Sequence, residues 1–129
     1  MKGKSYMEES ASSFNPSELT YDDRGLIPAV LQQKGDGKVI MLGYMSEETL
    51  HETIRIGQAV FWSRSRQEIW HKGATSGDYV NVHSISTDCD RDVVLLEVSL
   101  EGSGVCHTGS YSCFVTEEGD IRQVVESSN

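Results

Sequence analysis

The stretch PAVLQQKGDGKVIMLGYMSEETLHETIRIG, residues 28–57, decides the fold class. Its first two-thirds contain two apolar runs, PAVLQQ (28–33) and KVIMLGYM (38–45), on either side of the glycine-rich KGDG. This is the pattern of two strands joined by a hairpin turn. Apolar side chains alternate onto both faces of the second run, so both of its faces are expected to be covered.

The last part of the stretch, MSEETLHETIRIG (45–57), changes to a helical spacing. Ser46 suits the N-cap, and the glutamates that follow it lie at the positive end of the helix dipole. Leu50 and Ile54 recur at four residues on one face, and Gly57 suits the C-terminal stop. The stretch therefore predicts two antiparallel strands followed directly by a helix.

The rest of the chain reads mostly as short strands. AVFWSR (59–64), DYVNVHSIST (78–87) and VVLLEVSL (93–100) have strand composition, and a shorter strand is expected after Cys113. Because strands dominate and their connections are short, we expect a compact α+β domain with a mostly antiparallel sheet and one main helix.

The composition limits the possible functions. The chain has 129 residues and a formal net charge of -9, which argues for one domain and against binding to nucleic acid or an anionic membrane. Residues 1–18 are rich in Ser, Glu and Lys and are expected to form a mobile N-terminal arm, with 19–129 as the single domain. No signal peptide or membrane span is expected, and three cysteines suggest thiols or metal ligands in a reducing, cytoplasmic setting.

The segment DCDRD (88–92) places a thiol between carboxylates. In an extended conformation Asp88, Asp90 and Asp92 would share one face and Cys89 the other, which would separate ligands for a hard ion from a ligand for a soft one. On a straight strand Asp88 and Asp92 would be roughly 13 Å apart, so one ion would need a bend or bridging waters. The alternative interpretation is a solvated acidic turn.

Cys106 and Cys113 lie in GVCHTGSYSCF and are separated by six residues, which is not the spacing of a structural zinc knuckle. Free cysteines are also common core residues, so this interpretation stays open. If Cys89, Cys106 and Cys113 meet, they leave an open fourth position on zinc, and His107 is a candidate base beside it.

Basic and aromatic residues concentrate in FWSRSRQEIWHKGATSG (61–77), in a chain that is otherwise acidic. Its arginines and lysine, with serine hydroxyls and glycine-backed amides, could bind phosphate, and its tryptophans could stack on a ring. The alternative is a strand with exposed arginines and core tryptophans. The candidate substrate-binding residues are Trp62, Ser63, Arg64, Ser65, Arg66, Trp70, Lys72, Ser76 and Gly77.

These motifs, in this order, resemble those of the phosphoribosyl-AMP cyclohydrolase family of histidine biosynthesis. The shared motifs are W-S-R-S-R (62–66), W-x-K-G-x-x-S-G (70–77), D-C-D-x-D (88–92) and C-H-T-G followed by the second cysteine (106–113). The resemblance covers about two-thirds of the chain. Arg91 occupies the variable position of the aspartate motif, and the N-terminal arm falls outside the match.

The resemblance implies an intertwined homodimer with one zinc ion per subunit. Cys89, Cys106 and Cys113 would bind this zinc in a site shared between the subunits, and Asp88, Asp90 and Asp92 would bind magnesium. It also implies a small nucleotide substrate, adenine with phosphoribose on N1 as well as N9. Water activated by zinc would attack C6 and the N1–C6 bond would break, with His107 as proton shuttle. The phosphoribosyl-ATP pyrophosphohydrolase domain that follows in some members is expected to be absent here.

Two other functions remain to be weighed. A zinc-dependent nucleobase deaminase would use similar chemistry, but its H-x-E and P-C-x-x-C motifs are missing from the sequence. A small zinc-stabilised binding module without catalysis is the alternative outside the enzymes. Removal of metal separates this module from the cyclohydrolase, because a module stapled by zinc should unfold without it, whereas the enzyme should lose activity and largely keep its sheet.

Overall fold

The computed structural model describes residues 14–101 and Phe114. Within these residues the chain forms a short 3-10 helix, six strands and one α-helix. Their bounds are Pro16–Glu18 for the 3-10 helix, Leu26–Gln33 (β1), Val39–Ser46 (β2), Glu47–Ile56 (α1), Val60–Ser63 (β3), Glu68–His71 (β4), Val80–Thr87 (β5) and Val94–Leu100 (β6). The predicted α+β class with one main helix is confirmed for this part of the chain.

The strands form two sheets. The larger has the order β2-β1-β6-β5, and β3 pairs with β4 in a separate hairpin. The pairs β1–β2, β5–β6 and β3–β4 are antiparallel, whereas β1 and β6 run parallel at the centre of the larger sheet. The sheet is therefore mostly antiparallel, as predicted, around one parallel pair that the sequence did not indicate.

The predicted hairpin and helix form as expected. Ser46 caps α1, its Oγ accepting the Thr49 N–H at 3.1 Å while the Thr49 Oγ1 accepts the Ser46 N–H at 2.9 Å. Gly57 ends the helix in the left-handed conformation (φ 75°) and donates its N–H to the Thr53 carbonyl. These local hydrogen bonds fix both ends of α1 independently of its packing.

The core lies between the inner face of the larger sheet, α1 and β3. Leu31 and Leu96 are fully buried from the sheet, and they pack with Leu50 of α1 and Phe61 of β3. Each buried side chain of this size stabilises the fold by roughly 1.5–3 kcal/mol. The core thus anchors β3 and, through it, the hairpin that carries much of the predicted substrate site.

The outer face of the same sheet is partly apolar and exposed. Val30 of β1 pairs with Leu42 of β2 and with Leu95 of β6, so the three side chains form one row across the sheet. Leu42 is 45% and Leu95 38% exposed. The prediction that both faces of β2 are covered stays open at Leu42 and Val39, which are exposed in the described part of the chain.

Two strand interpretations differ from the structure, and a third is not tested by it. The strand β4, Glu68–His71, was not predicted, because it is short and follows a charged turn. The segment 88–92 is a turn between β5 and β6, not part of a strand. The strand expected after Cys113 falls outside the described residues, apart from Phe114.

Part of the predicted N-terminal arm is described. Pro16 is buried, Phe14 packs against the core, and the Thr20 N–H donates to the Arg91 carbonyl at 2.7 Å. The division of the chain at residue 18 stays a prediction. Within the described ranges, no helix is long and apolar enough to cross a membrane.

Candidate active site and its two cavities

The DCDRD segment folds into a tight turn directly after β5. The Arg91 N–H donates to the Asp88 carbonyl at 3.1 Å, and the Asp92 N–H donates to the Asp88 Oδ1 at 3.1 Å. Arg91 adopts the left-handed conformation (φ 62°), which reverses the chain before β6 begins. The extended conformation considered for this segment is therefore wrong, because the Asp88 side chain binds the backbone of its own turn.

The turn brings the three carboxylates together. One carboxylate oxygen from each of Asp88, Asp90 and Asp92 lies within 4.8 Å of the other two. This spacing suits a single ion, and it removes the difficulty that a straight strand would hold the outer aspartates roughly 13 Å apart. All three residues are exposed, so an ion bound here could keep waters in its remaining positions.

The electrostatics of the turn favour a cation. The pKa of the Asp92 carboxyl is raised above its ordinary value, first by a hydrogen bond with Asp88, then by desolvation and by the negative charges of Asp88 and Asp90. Mutual repulsion of this kind is relieved when a cation binds between the carboxylates. Three oxygen donors at this spacing fit Mg²⁺, which prefers carboxylates and waters.

Cys89 is exposed in the same turn. Its Sγ lies 3.8 Å from the Asp90 Oδ1, so the thiol is not separated from the carboxylates on an opposite face, as the extended conformation would have required. An exposed thiol is accessible to a metal ion, and thiolate sulfur suits zinc. The other predicted zinc ligands, Cys106 and Cys113, and the predicted catalytic His107 lie outside the described residues.

The hairpin β3–β4 divides the predicted substrate residues between its two faces. Trp62 pairs with Ile69 and Phe61 pairs with Trp70, so the two tryptophans lie on opposite faces. Trp70 faces the core side, with its ring centroid 5.5 Å from that of Phe61. Trp62 and Trp70 therefore do not stack on the same ring within one chain.

The first cavity, here called the Lys72 cavity, has a volume of about 560 Å³. Lys72 is only 8% exposed, and its Nζ lies 5.2 Å from the Trp70 ring centroid. The loop after β4 closes one side, with the Gly77 N–H donating to the Gly73 carbonyl at 2.7 Å. Four of the predicted substrate residues line this cavity: Arg66, Trp70, Lys72 and Ser76.

The second cavity, here called the Arg64 cavity, has a volume of about 300 Å³. Trp62 and Arg64 line it, and the Arg64 guanidinium carbon lies 3.8 Å from the centroid of the Tyr44 ring. The structure thus brings together two of the predicted substrate residues here and four in the Lys72 cavity. Of the remaining three, Ser63 accepts the Arg66 N–H at 3.3 Å, and Ser65 and Gly77 lie in exposed turns.

The sequence profile of the phosphoribosyl-AMP cyclohydrolase family matches residues 41–115, which is more than half of the chain. The chain belongs to the phosphoribosyl-AMP cyclohydrolase family. The matched region contains the β3–β4 hairpin, the residues from Arg66 to Ser76 that line the Lys72 cavity, and the DCDRD turn.

Curated relatives agree with this membership. A phosphoribosyl-AMP cyclohydrolase of Cupriavidus metallidurans is 47% identical over 106 residues, covering 81% of this chain and 78% of that protein. One of Thioalkalivibrio sulfidiphilus is 52% identical over 110 residues, covering 84% and 83%. A histidine biosynthesis bifunctional protein of Nostoc is 51% identical over 104 residues, covering 81% of this chain but 48% of that protein.

One polar network at the Lys72 cavity was missed by the sequence reasoning. His71 lines the cavity, and its Nε2 lies 2.9 Å from the Gln58 Oε1. The Gln58 Nε2 donates to the Asn81 Oδ1 at 3.3 Å, and the Asn81 Nδ2 donates to the Glu101 Oε2 at 2.9 Å. The network fixes the imidazole at the wall of the cavity. Its members are far apart in sequence, so no local motif pointed to it.

Proposed function

We propose that this member of the phosphoribosyl-AMP cyclohydrolase family hydrolyses N1-(5-phosphoribosyl)-AMP at the N1–C6 bond of its adenine ring. Water adds to C6, the N1–C6 bond breaks, and N1 takes a proton, which gives the formimino imidazole carboxamide ribonucleotide of histidine biosynthesis. The family match carries this proposal, because it spans both the carboxylate turn and the basic hairpin. The curated relatives carry the name of this activity.

The carboxylate turn is the proposed magnesium site. Asp88, Asp90 and Asp92 offer three oxygens within one ion's reach, and their mutual repulsion favours a bound cation. In this role they would hold positive charge beside the phosphates of the substrate. Arg91 is not proposed as a ligand, and its contribution is the reversal of the chain that gathers the three carboxylates.

The proposed zinc ligands are Cys89, Cys106 and Cys113. Zinc held by three thiolates would supply a Lewis acid that lowers the pKa of a water molecule and leaves a fourth position open for it. His107 is proposed to carry the proton between this water and N1 of the substrate. The exposure of the Cys89 thiol beside Asp90 supports the assignment of Cys89.

The basic hairpin is the proposed substrate site. Arg64, Arg66 and Lys72 would bind phosphate, and Trp62 or Trp70 would stack on a ring of the substrate. The position of Lys72 at the cavity wall, with its Nζ 5.2 Å from the Trp70 ring centroid, supports this role. The hydroxyl of Ser76 lies at the same cavity and could complete the phosphate contacts.

We also propose that two subunits form an intertwined homodimer that shares the zinc ligands. The row on the outer face of the sheet, with exposed Leu42 and Leu95 on either side of half-buried Val30, supports an association between copies, because exposed apolar surface marks interaction sites. The proposed zinc ligands are cysteine thiols, which persist in a reducing compartment. This supports a cytoplasmic location.

The activity is tested by incubating the pure protein with N1-(5-phosphoribosyl)-AMP and following ring opening by ultraviolet absorbance, with and without a chelator. We expect turnover that the chelator abolishes while the circular dichroism of the sheet persists. Loss of the sheet signal on chelation, with no turnover beforehand, would instead identify a zinc-stapled binding module.

The zinc site is tested by Cys106→Ser, which should remove zinc and abolish turnover.

The proton shuttle is tested by His107→Ala, which should keep zinc and lower kcat by roughly 10²–10⁴, the usual contribution of an acid–base group. Zinc content is measured by elemental analysis of the purified variants. Full activity in Cys106→Ser without bound zinc would refute the site, and an unchanged pH–rate profile in His107→Ala would refute the proton shuttle.

A further inference from the structure

The Arg64 cavity contains more binding chemistry than the motif residues Trp62 and Arg64. Residues from three other parts of the chain complete its wall: Arg24 from the turn before β1, Ser46 and Glu48 at the start of α1, and Gln67 from the hairpin turn. Its volume of about 300 Å³ lies at the lower end of ligand cavities. A space of this size suits one sugar phosphate better than a whole nucleotide.

Two guanidinium groups face this cavity. The Arg64 guanidinium carbon lies 3.8 Å from the Tyr44 ring centroid, a cation–π contact that positions the group at the cavity wall. Within residues 14–101, neither Arg24 nor Arg64 forms an ion pair. Both charges also act on Asp22, whose pKa is lowered first by the Leu26 N–H and further by the two arginines. The two arginines therefore approach the same small region.

Paired guanidinium groups are suited to a phosphate. Each presents a planar fork of N–H donors that matches two phosphate oxygens. The Asp22 Oδ1 accepts the backbone N–H groups of Arg24 and Leu26 at 2.8 and 2.9 Å, and within residues 14–101 this carboxylate forms no ion pair with either arginine. The arginine side of the cavity is thus left for an anion from outside the chain.

The rest of the cavity wall carries a carboxylate and an amide instead of guanidinium groups. Glu48 is exposed at the cavity, and a carboxylate there would repel phosphate but accept hydrogen bonds from hydroxyl groups. The amide of Gln67 offers both a donor and an acceptor, although its Nε2 already donates to the Arg64 carbonyl at 2.7 Å. Trp62 supplies an apolar surface for the carbon skeleton of a sugar. Anion binding on one side and hydroxyl binding on the other describe a phosphorylated sugar.

We propose that the Arg64 cavity is a subsite for a 5-phosphoribosyl group, in which Arg24 and Arg64 bind the phosphate and Glu48 accepts hydrogen bonds from the ribose hydroxyls. The identity of the sugar rests on the proposed function, whose substrate carries two 5-phosphoribosyl groups. The Lys72 cavity is separate, and its wall carries Arg66 and Lys72 together with Glu68 and Asp78. Lys72 and Arg66 are the cationic groups that it offers to the second phosphate of the substrate.

Kinetics of the metal-loaded protein test the role of Arg24. Arg24→Gln should raise KM for N1-(5-phosphoribosyl)-AMP by about tenfold or more, the usual effect of losing a charged hydrogen bond, and leave kcat within about threefold. Arg55→Gln is the matched control, because Arg55 is an exposed arginine on α1 that pairs with Glu52 away from the cavity. Melting temperatures of both variants must match that of the parent protein.

Direct binding separates the two sides of the cavity. Ribose 5-phosphate, inorganic phosphate and ribose are titrated by calorimetry into the parent protein and into Arg24→Gln, Glu48→Gln and Arg55→Gln. Arg24→Gln should weaken ribose 5-phosphate and phosphate together. Glu48→Gln should weaken ribose 5-phosphate but not phosphate, because it replaces one acceptor oxygen with an amide donor and removes a negative charge that repels phosphate.

The outcomes distinguish the subsite from the proposed function. If the parent protein does not open the adenine ring but Arg24→Gln still loses ribose 5-phosphate, the proposed reaction fails and the subsite stands. If ring opening proceeds while Arg24→Gln and Glu48→Gln match Arg55→Gln in KM and in all three titrations, the subsite is refuted and the reaction stands.

Discussion

At the scale of single residues, the conformation of Arg91 determines the geometry of the carboxylate turn. Its φ of 62° lies in the left-handed region, where L-residues other than Gly, Asn and Asp are disfavoured by roughly 1–2 kcal/mol. The Arg91 carbonyl accepts a hydrogen bond from the Thr20 N–H, and the Arg91 N–H donates one to the Asp88 carbonyl. The position therefore needs a left-handed backbone more than it needs an arginine side chain.

Substitutions at Arg91 should separate these two requirements. Arg91→Gly should retain Mg²⁺ affinity within about threefold, because glycine adopts the left-handed conformation without strain. Arg91→Val should weaken it by at least about tenfold, because a β-branched residue resists this conformation and the turn would open. Both affinities are measured by calorimetric titration with Mg²⁺. Equal loss in the two variants would show that the side chain, and not the backbone, supports the site.

The side chain of Asp88 explains why the sequence left both an extended segment and a turn open for residues 88–92. The alternation of aspartate with cysteine and arginine in DCDRD imitates the period of a strand. The structure departs from it because the Asp88 side chain competes for backbone N–H groups, a local effect that the alternation does not reveal. The identities of the three carboxylates could be predicted, but their convergence could not.

At the scale of elements, the loop after β4 depends on one close backbone contact. A Cβ built at Gly73 would lie 2.5 Å from the Tyr79 backbone nitrogen, and Gly73 also has a φ of 96°. The neighbouring Gly77 has a φ of 85° but open space around a built Cβ. Both glycines have a positive φ that would strain another residue, but only Gly73 has a close backbone contact. The two therefore form a matched pair for experiment.

Gly73→Ala should lower the free energy of unfolding by roughly 2–4 kcal/mol, because a backbone contact leaves no flexible side chain to move aside. Gly77→Ala should cost about 1 kcal/mol, from the backbone conformation alone. Chemical denaturation measures both. In Gly73→Ala the adjacent Lys72 should also be displaced, which should raise KM for N1-(5-phosphoribosyl)-AMP. A similar loss in the two variants would assign the whole effect to conformation and none to the contact.

Elements with local signals could be predicted from the sequence, and elements without them could not. The helix α1 has its N-cap, its apolar spacing and its terminal glycine within one segment, and the structure confirms each. The strand β4 has four residues, two of them exposed and none fully buried, so neither apolar content nor alternation marks it. Its existence depends on pairing with β3, which propensity does not report.

At the scale of the whole molecule, the uncovered outer face of the sheet bears on assembly. Leu42→Glu or Leu95→Glu would place a charge at one end of the row that we propose to lie between subunits. Each should shift the protein from dimer to monomer in analytical ultracentrifugation and reduce bound zinc, because the zinc ligands are proposed to come from both subunits. Ser17→Glu, an exposed substitution of the same charge outside the sheet, is the control.

Retention of the dimer and of full zinc content in both leucine variants would contradict this assignment. Loss of the far-ultraviolet sheet signal would instead indicate that the substitutions act on the fold of the subunit. Leu42 and Leu95 are partly exposed, so their replacement should cost the isolated subunit less than replacement of a fully buried leucine.

Long-range pairing is the part of the whole molecule that the sequence could not indicate. The parallel pair β1–β6 and the cavity lined by both Arg24 and Arg64 each bring together residues far apart in the chain. Hydrophobic pattern predicts that such strands are buried, but it does not specify which strands become neighbours. The candidate phosphate residues of the WSRSR motif were therefore predictable, and the arginine from the turn before β1 was not.

The parallel pair at the centre of the sheet also has a consequence for folding kinetics. Ala29 pairs with Val94, so the central strands cannot meet until roughly 65 intervening residues have been brought into a closed loop. The β1–β2 and β5–β6 pairs are local in sequence and can form before this event. We therefore expect a folding rate limited by the docking of these two hairpins, slower than that of a helical protein of this length.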